Sequence, residues 1–332
     1  RSIGLDLTTD RGREVLYKLV EEADVFSTNF DPRAIDKLKA DYDTLSQVNP
    51  QIIYCQCTGY GTAGPDKDKP GFDYAAWWAR SGMMDRIAEP GVAPRPNRPG
   101  MGDNLCSPGI AGAIAAALYC REKTGVAQKI EMSLYHMAVW GLQYDIGTAL
   151  HQGVNLNQTN RNAVTNALWN CYLTKDEKWL MLVMPQTDRY WSSFCQAIGK
   201  PEWKDDDRFD SHMKRMDQNL TLIPAIEEII ATRTALEWES VAQELDLVLG
   251  RIQTPLEVAN DPQAWENNFF TEMEYAPGVT FKAINSPINF SKTPAEIRCI
   301  GPELGQNTEE ILAELDYSWD DITVMKNDGV IN

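Results

Sequence analysis

The chain has 332 residues, of which 43% are hydrophobic and 24% charged, an ordinary composition for a globular protein with a sizeable core. Its formal net charge of −17 argues against a basic nucleic-acid-binding surface and against binding to anionic membranes. No run of eighteen apolar residues occurs, so the sequence predicts no membrane-spanning helix.

The first sixty residues alternate between strand and helix patterns. We predict strands at 3–7, 24–28 and 51–58, with helices at about 10–23 and from Pro32 onward. This order predicts a parallel sheet with right-handed crossovers, and therefore an α/β fold. Because the sequence opens as a core strand and no Met precedes Arg1, we expect residues to be missing before it.

Later elements follow from the same patterns. Ser107 and Pro108 resemble an N-cap and a first helical residue, and a helix rich in small residues follows them. The polar stretch 153–166 is typical of a linker or an active-site loop, and the region after Asp261 is irregular and Pro-rich. The other predicted elements are strands at 129–135, 170–174 and 179–183, and helices at about 136–150, 187–199, 220–232, 236–245 and 308–315.

The seven cysteines are scattered and include no C-x-x-C pair. An odd number without paired spacing argues against a disulfide framework and against a zinc ribbon, so we expect no metal site. Reduced thiols suit the cytosol, and we therefore expect a cytoplasmic protein.

One glycine-rich segment, Gly59-Tyr-Gly61-Thr-Ala-Gly64, follows the predicted strand at 51–58. It matches the pattern G-x-G-x-x-G, but dinucleotide binding also needs a helix to begin there. The next residues, 65–70, read PDKDKP and begin no helix, so we interpret the segment as a turn. Phosphate-loop, zinc-protease and hydrolase-elbow motifs do not occur, and the three histidines are too scattered to argue for a His-centred catalyst.

Two carboxylates are the remaining catalytic candidates. Asp103 lies between Gly102 and Asn104, shortly before the small-residue helix, whose dipole favours an ionised carboxylate. Gly102 would let a substrate approach closely. Asp73, which follows Gly71 and Phe72, is the second candidate. The alternative, that each carboxylate only caps a turn, stays open.

Six segments in the right order resemble the class III CoA-transferases, the family of formyl-CoA transferase, carnitine CoA-transferases and methylacyl-CoA racemase. The segments are RSIGLDL (1–7), DVFSTNFDP (24–32), GYGTAGP (59–65), PGFD (70–73), GD (102–103) and GPELGQNTEEIL (301–312). Within the family, segments 73–82 and 133–140 look most like transferases that handle phenyllactate or branched 2-hydroxy acids.

The resemblance implies a fold and an assembly. The expected fold is a nucleotide-fold large domain with a parallel sheet, plus a smaller α+β domain, in an interlocked homodimer. The implied limits are 1–130 for the first part of the large domain, 131–165 for a linker, 166–261 for the small domain, 262–285 for a second linker and 286–332 for the return to the large domain. We expect Leu304, Ile311 and Leu315 to anchor that return.

The resemblance also implies a reaction, in which CoA moves from an acyl-CoA thioester to a small carboxylic acid through an aspartyl-CoA thioester on Asp103. Phe72 and Asp73 would line the acyl side, where Asp73 would position the incoming acid or donate a proton. Backbone amides around Gly102 or Asn104 would stabilise the oxyanion. Coenzyme A would be a substrate, with no permanently bound cofactor. The implied CoA-binding residues are Asn29, Phe30, Lys37, Leu38 and Lys69.

Several departures from the family pattern keep alternatives open. The family's N-terminal segment, which supplies a Gln near the thioester oxygen, has no counterpart here, and Lys37 stands where an Arg is usual. Racemases of the family carry a His base where this chain has Phe72, which favours transfer over racemisation. The alternatives are an acyl-CoA racemase or isomerase, and a non-catalytic CoA-binding subunit or fragment.

Overall fold

The computed structural model describes residues 1–158, 160–276 and 278–331. The chain divides into two compact units, one formed by 1–158 with 301–331 and the other by 160–300. The domain and linker limits given from the sequence stay predictions.

The first unit contains a parallel sheet. Its elements in chain order are α1 (Asp10–Glu22), β1 (Val25–Thr28), α2 (Pro32–Lys37), α3 (Tyr42–Val48), β2 (Ile53–Thr58), a π-helix (Asp73–Ala79), α4 (Met83–Ile87), α5 (Met101–Thr124), β3 (Lys129–Ser133), α6 (Leu134–Gly141) and α7 (Gln143–Gln152). The strands pair in parallel in the order β1-β2-β3. The predicted α/β class with a parallel sheet is therefore confirmed.

Helix α1 shows how the sequence builds this unit. Its N terminus is capped by Thr9, whose side chain accepts the Gly12 N–H. At the other end, the Asn49 side chain donates to the carbonyls of Val20 and Ala23, at 2.9 Å each. The Val20 side chain is buried in a cluster with Leu45, Ile52 and Tyr54. The predicted amphipathic helix at 10–23 is thus confirmed, with both ends satisfied.

The predicted strand at 3–7 is wrong. Only Leu5 pairs there, in an isolated antiparallel bridge with Ile331. The Asp6 N–H donates to the Val330 carbonyl at 2.8 Å, and the Gly4 N–H donates to the Thr308 hydroxyl at 3.0 Å. The apolar alternation is real, but its partners are single groups near the end of the chain rather than a neighbouring strand.

The second unit has an antiparallel sheet surrounded by helices. Its elements are a 3₁₀ turn (Arg161–Ala163), β4 (Cys171–Leu173), β5 (Trp179–Leu182), α8 (Thr187–Ala197), a 3₁₀ turn (Pro201–Asp205), α9 (His212–Asp217), α10 (Asn219–Ile230), α11 (Ala235–Glu244), β6 (Leu249–Arg251), α12 (Pro255–Ala259), α13 (Pro262–Glu266), β7 (Phe270–Ala276) and β8 (Val279–Ile284). The sheet order is β4-β5-β6, and β7 and β8 form a separate hairpin. That hairpin corrects the expectation of irregular structure after Asp261.

The last segment adds α14 (Thr308–Glu314) and α15 (Trp319–Asn327) to the first unit. These helices pack on α1, and Val15, Leu312 and Met325 are buried in the shared core. Ile311 and Leu315 belong to the same core, as expected, but Leu304 is 80% exposed and does not anchor the segment. In the described part of the chain, no helix combines the length and apolarity needed to cross a membrane.

Candidate active site

A cavity of about 360 Å³ lies at the carboxyl edge of the parallel sheet. Asn29, Gly59 and Leu134, each of which directly follows one of the three strands, all line it. Ligands of parallel sheets bind outside the carboxyl ends of the strands, because the loops that leave those ends converge there. The other lining residues are Cys57, Thr58, Gly71, Phe72, Asp73, Asp103, Cys106, Ser107 and Ile110.

Two glycines of the cavity lining touch one another. A Cβ built on Gly59 would lie 2.4 Å from the Gly71 Cα, and a Cβ on Gly71 would lie 2.4 Å from the Gly59 Cα. The backbones of the two loops therefore cross at a distance that only glycine allows. Farther along the first loop, Gly61 and Gly64 have φ values of +102° and +88°. The interpretation of this segment as a turn is confirmed, and no helix begins there to hold a dinucleotide.

Asp103 lies inside a helix, not before one. Helix α5 begins at Met101, six residues ahead of the predicted cap at Ser107. Pro108 sits within the helix, and the Ser107 hydroxyl donates to the Asp103 carbonyl at 3.0 Å. The Ser-Pro pair looked like a helix start because Pro is common at the first helical position. The correction places the Asp103 carboxylate in the first turn, where the helix dipole acts on it.

Asp73 is buried and holds the start of α5. Its Oδ2 accepts the Gly100 N–H at 2.8 Å, and its Oδ1 accepts the Gly102 N–H at 2.9 Å. Gly102 fits closely in this arrangement, because an added Cβ would lie 2.3 Å from Asp73 Oδ1 and 2.4 Å from Trp77 Cγ. Asp73 and Trp77 both belong to the π-helix, an uncommon conformation that is frequent at functional sites.

The groups around the cavity differ in their charge at neutral pH. Loss of solvation raises the pKa of Asp103, and the nearby charge of Asp73 raises it further. Burial raises the pKa of Cys106 to about 12, and burial is also the main cause of the raised pKa of Cys57. Cys106 is therefore protonated near pH 7, which leaves the Asp103 carboxylate as the better candidate for a nucleophile.

The other predicted site residues lie in three settings. Phe72 lines the cavity with 76% of its side chain exposed, and Asn29 also lines it. Phe30 and Lys37 are exposed and Leu38 is half-buried; none of the three lines the cavity. Lys69 also lies outside the lining, and its Nζ pairs with an Asp66 carboxylate oxygen at 2.6 Å.

The oxyanion role of backbone amides around Gly102 or Asn104 stays a prediction, and these two N–H groups themselves already have hydrogen-bond partners. The Gly102 N–H already donates to Asp73, and the Asn104 N–H donates to the Gly100 carbonyl at 2.9 Å. The Asn104 side chain is exposed and does not line the cavity. The Gly102 N–H is therefore occupied by a side chain of the π-helix, and the Asn104 N–H by the regular hydrogen bonding of α5.

The predicted site residues omit eight residues that line the cavity: Cys57, Thr58, Gly59, Gly71, Cys106, Ser107, Ile110 and Leu134. Thr58 and Leu134 lie at the ends of correctly predicted strands, so the rule for parallel sheets would have found them. Cys106, Ser107 and Ile110 follow Asp103 within one or two helical turns. They would have been found if the helix had been started at Met101.

The chain that forms this cavity is similar to proteins of a known family. The family model of CoA-transferase family III matches residues 1–308. The chain is 31% identical to the (R)-2-hydroxy-4-methylpentanoate CoA-transferase of Clostridioides difficile, over all of this chain and 82% of that protein. It is 32% identical to the cinnamoyl-CoA:phenyllactate CoA-transferase of Clostridium sporogenes, over 99% of this chain and 80% of that protein.

A solved structure is also similar to this chain. The crystal structure of a CAIB/BAIF family protein from Brucella suis matches with a TM-score of 0.81 and 28% sequence identity, over 95% of this chain and 82% of that one. The structural match and the family model each extend over more than nine tenths of this chain. The chain therefore belongs to CoA-transferase family III and is a class III CoA-transferase.

Proposed function

We propose that this enzyme moves CoA from an acyl-CoA to a carboxylic acid through an aspartyl-CoA thioester on Asp103. The observation that carries the proposal is the position of this carboxylate in the cavity at the carboxyl edge of the sheet. The raised pKa of Cys106 supports it, because a protonated thiol does not compete for the thioester. Coenzyme A enters and leaves as a substrate.

The proposed reaction proceeds by exchange of acyl groups at carboxylate and sulfur. An Asp103 carboxylate oxygen attacks the thioester carbonyl, the carbon–sulfur bond breaks, and CoA thiolate leaves a mixed anhydride. The thiolate then attacks the Asp103 carbonyl of the anhydride and releases the donor acid, which gives aspartyl-CoA. The acceptor carboxylate attacks this thioester, and the same steps in reverse form the new acyl-CoA and restore Asp103. One thioester replaces another, so the balance requires no ATP.

The charge of the cavity lining favours acyl groups that carry no second carboxylate. Asp73 and Asp103 are its carboxylates, and no Lys, Arg or His belongs to the lining within the described ranges. A second carboxylate on the substrate would therefore meet repulsion without a cationic partner. Phe72, Ile110 and Leu134 offer apolar contacts instead. We propose monocarboxylic acids with a neutral, largely apolar tail, in agreement with the acids named for the two Clostridial relatives.

We also propose that the segment after β1 contacts coenzyme A. Asn29 lines the cavity. Phe30 and Lys37 follow Asn29 in the sequence, and both are exposed and accessible to a ligand. Leu38 and Lys69 complete the set carried over from the family resemblance. The family resemblance further supports an interlocked homodimer, and the free cysteines support a cytoplasmic location, as parts of the proposal.

The test is a search for the covalent intermediate. The purified enzyme is incubated with phenylpropanoyl-CoA or 4-methylpentanoyl-CoA, and the peptide that carries Asp103 is examined by mass spectrometry before and after hydroxylamine. We expect a CoA adduct that hydroxylamine removes. Asp103→Asn should form no adduct and transfer nothing, yet bind CoA nearly as well as the wild type. Turnover by Asp103→Asn would contradict the assignment.

The same assay separates the rival functions. A racemase would exchange the hydrogen next to the thioester carbonyl for deuterium without forming an adduct. A non-catalytic subunit would bind CoA and show neither reaction. Substrate class is tested by comparing these monocarboxylates with succinate and oxalate as acceptors; preferred use of a dicarboxylate would contradict the proposed acyl group and leave the aspartyl intermediate intact.

A further inference from the structure

The carboxylate of Asp73 is engaged at both oxygens. Oδ2 accepts the Gly100 N–H at 2.8 Å and Oδ1 accepts the Gly102 N–H at 2.9 Å. The side chain is 6% exposed, although one of its edges borders the cavity. A role as proton donor or as an anchor for the incoming acid would require these bonds to the backbone to break.

The hydrogen bonds link Asp73 to the residues on both sides of Met101, where α5 begins. The first N–H groups of a helix have no partner within the helix, so a carboxylate that accepts two of them fixes the position of the first turn. Gly102 makes the fit closer, since its Cα lies against Asp73 and Trp77 with no room for a Cβ. The residue held next in this turn is Asp103.

We propose that Asp73 is a positioning residue, which holds the first turn of α5 so that the Asp103 carboxylate faces the cavity. The proposal rests on the proposed function of Asp103 as the nucleophile. It replaces the two roles that the family resemblance gave to Asp73, which were to position the incoming acid or to donate a proton, because both carboxylate oxygens accept backbone N–H groups.

The charge of Asp73 provides a readout that a purely structural cap would not give. Its negative charge contributes to the raised pKa of Asp103, after loss of solvation. The other titratable groups that line this cavity are the thiols of Cys57 and Cys106, and burial raises the pKa of both. Removing the charge at Asp73 should therefore lower the pKa of Asp103 and move the acid limb of the pH profile to lower pH.

The experiment compares three variants in single-turnover formation of the hydroxylamine-sensitive adduct. Asp73→Asn keeps the size of the side chain but removes the charge and one acceptor. We expect adduct formation about 100-fold slower, as for a displaced catalytic group, with little change in KM for acyl-CoA and an acid limb at lower pH. Asp73→Glu keeps the charge but lengthens the arm, so it should slow the reaction without moving the acid limb.

The control is Asp41→Asn. Asp41 caps α3 in the same unit by accepting the Thr44 N–H at 3.0 Å, and it does not line the cavity. This change removes the charge of the cap but keeps an acceptor for the Thr44 N–H, and it should leave both the adduct rate and the pH profile unchanged. A general effect of helix capping is thereby separated from an effect on Asp103.

Three outcomes would overturn the proposal. Asp73→Asn with a wild-type rate and pH profile would show that Asp73 neither positions Asp103 nor affects its charge. Formation of the adduct at the wild-type rate, with failure only when the acceptor acid is added, would show that Asp73 acts on the acid. If Asp73→Asn does not fold, an undiminished rate in Asp73→Glu would refute the positioning role. Failure of the wild type to form any adduct refutes the proposed function instead, and needs no variant to detect.

Discussion

Gly102 is the residue at which the site depends most directly on the absence of a side chain. Its Cβ position is occupied on one side by the Asp73 carboxylate and on the other by the Trp77 ring. The same helix contains Gly112, where an added Cβ would meet no atom within 4 Å. This pair allows the local fit to be tested within one element.

We expect Gly102→Ala to destabilise the protein by about 1–3 kcal/mol, because the extra methyl group overpacks a filled site. Transfer should fall with it, since the first turn of α5 must shift. Gly112→Ala should instead stabilise by roughly 0.5–1 kcal/mol, because alanine costs less conformational entropy in a helix. Urea unfolding and single-turnover rates measure both effects; equal stability of the two variants would contradict the packing argument.

The pH dependence of transfer follows from Asp103. Its pKa lies above the ordinary aspartate value of about 3.9 because of lost solvation and the charge of Asp73. In the proposed reaction the ionised form of Asp103 is the nucleophile, so kcat/KM should fall as the pH drops through this raised pKa. The profile is measured with an uncharged-tail acyl-CoA between pH 3 and 8. An acid limb at or below that of a free aspartate would contradict the assignment.

The same pKa has a consequence for stability. A carboxyl group whose pKa is raised by folding makes the ionised folded state less stable than it would be with a neutral side chain. Asp103→Asn should therefore unfold at a slightly higher temperature than the wild type above the raised pKa, and the effect should be small because Asp103 is exposed. The difference should shrink as the pH falls from the folded toward the unfolded pKa, because the wild type becomes protonated. Calorimetry at several pH values checks this sign.

At the scale of elements, sequence patterns predicted the helices and strands whose limits depend on nearby residues. Helix α1 and strands β1, β2 and β3 were placed nearly correctly because their apolar residues recur with the period of each structure. The sequence pattern places the start of helix α5 too late, because Pro108 lies inside the helix although Pro is typical of a first helical residue. Its true start depends on Asp73, a residue of another element, and a local pattern contains no sign of that contact.

The same distinction applies to the return of the chain. Leu304, Ile311 and Leu315 were equally plausible anchors by sequence, and two of them are buried. Leu304 precedes α14 and is exposed. The helical periodicity that places Ile311 and Leu315 in the core therefore does not extend to it. Of the residues that line the cavity, Asp103 and Asp73 were candidates from their local sequence, and Phe72 and Asn29 came from the family resemblance. The rest of the cavity wall required the positions of three strands.

We expect Leu312→Ala to cost about 2–5 kcal/mol, the usual range for a large side chain removed from a packed core. Leu312 is fully buried between α14 and α1. Leu304→Ala is the matched control, and its effect should stay within about 0.5 kcal/mol because the side chain is mostly exposed. Denaturant midpoints measure both; a large loss from Leu304→Ala would contradict the exposed position of this residue.

At the scale of the whole molecule, the proposed homodimer has a measurable consequence. Helices α6 and α7 expose large apolar side chains, including Trp140 (67%), Tyr144 (76%) and Leu150 (79%). Exposed apolar groups on a single chain are typical of surfaces that another chain covers. We expect sedimentation to give about twice the chain mass of 37.4 kDa. A single-chain mass at micromolar concentration would contradict the proposed assembly.

Charge is also uneven over the molecule. The first hundred residues contain 13 basic and 15 acidic side chains, although the whole chain has a net charge of −17. The cavity, with β1, β2 and their following loops, is built largely from this nearly neutral part. An anionic ligand such as coenzyme A meets less repulsion there than over the rest of the sequence.

The contact between Gly59 and Gly71 brings the loop after β2 against the loop that leads into the π-helix. A methyl group on either residue would force the two loops apart beside the cavity that both residues line. The proposed mixed anhydride would then be open to water, which would hydrolyse it before the CoA thiolate could attack it. Gly71→Ala should therefore convert part of the transferase activity into wasteful thioester hydrolysis, visible as free CoA released without an acceptor acid.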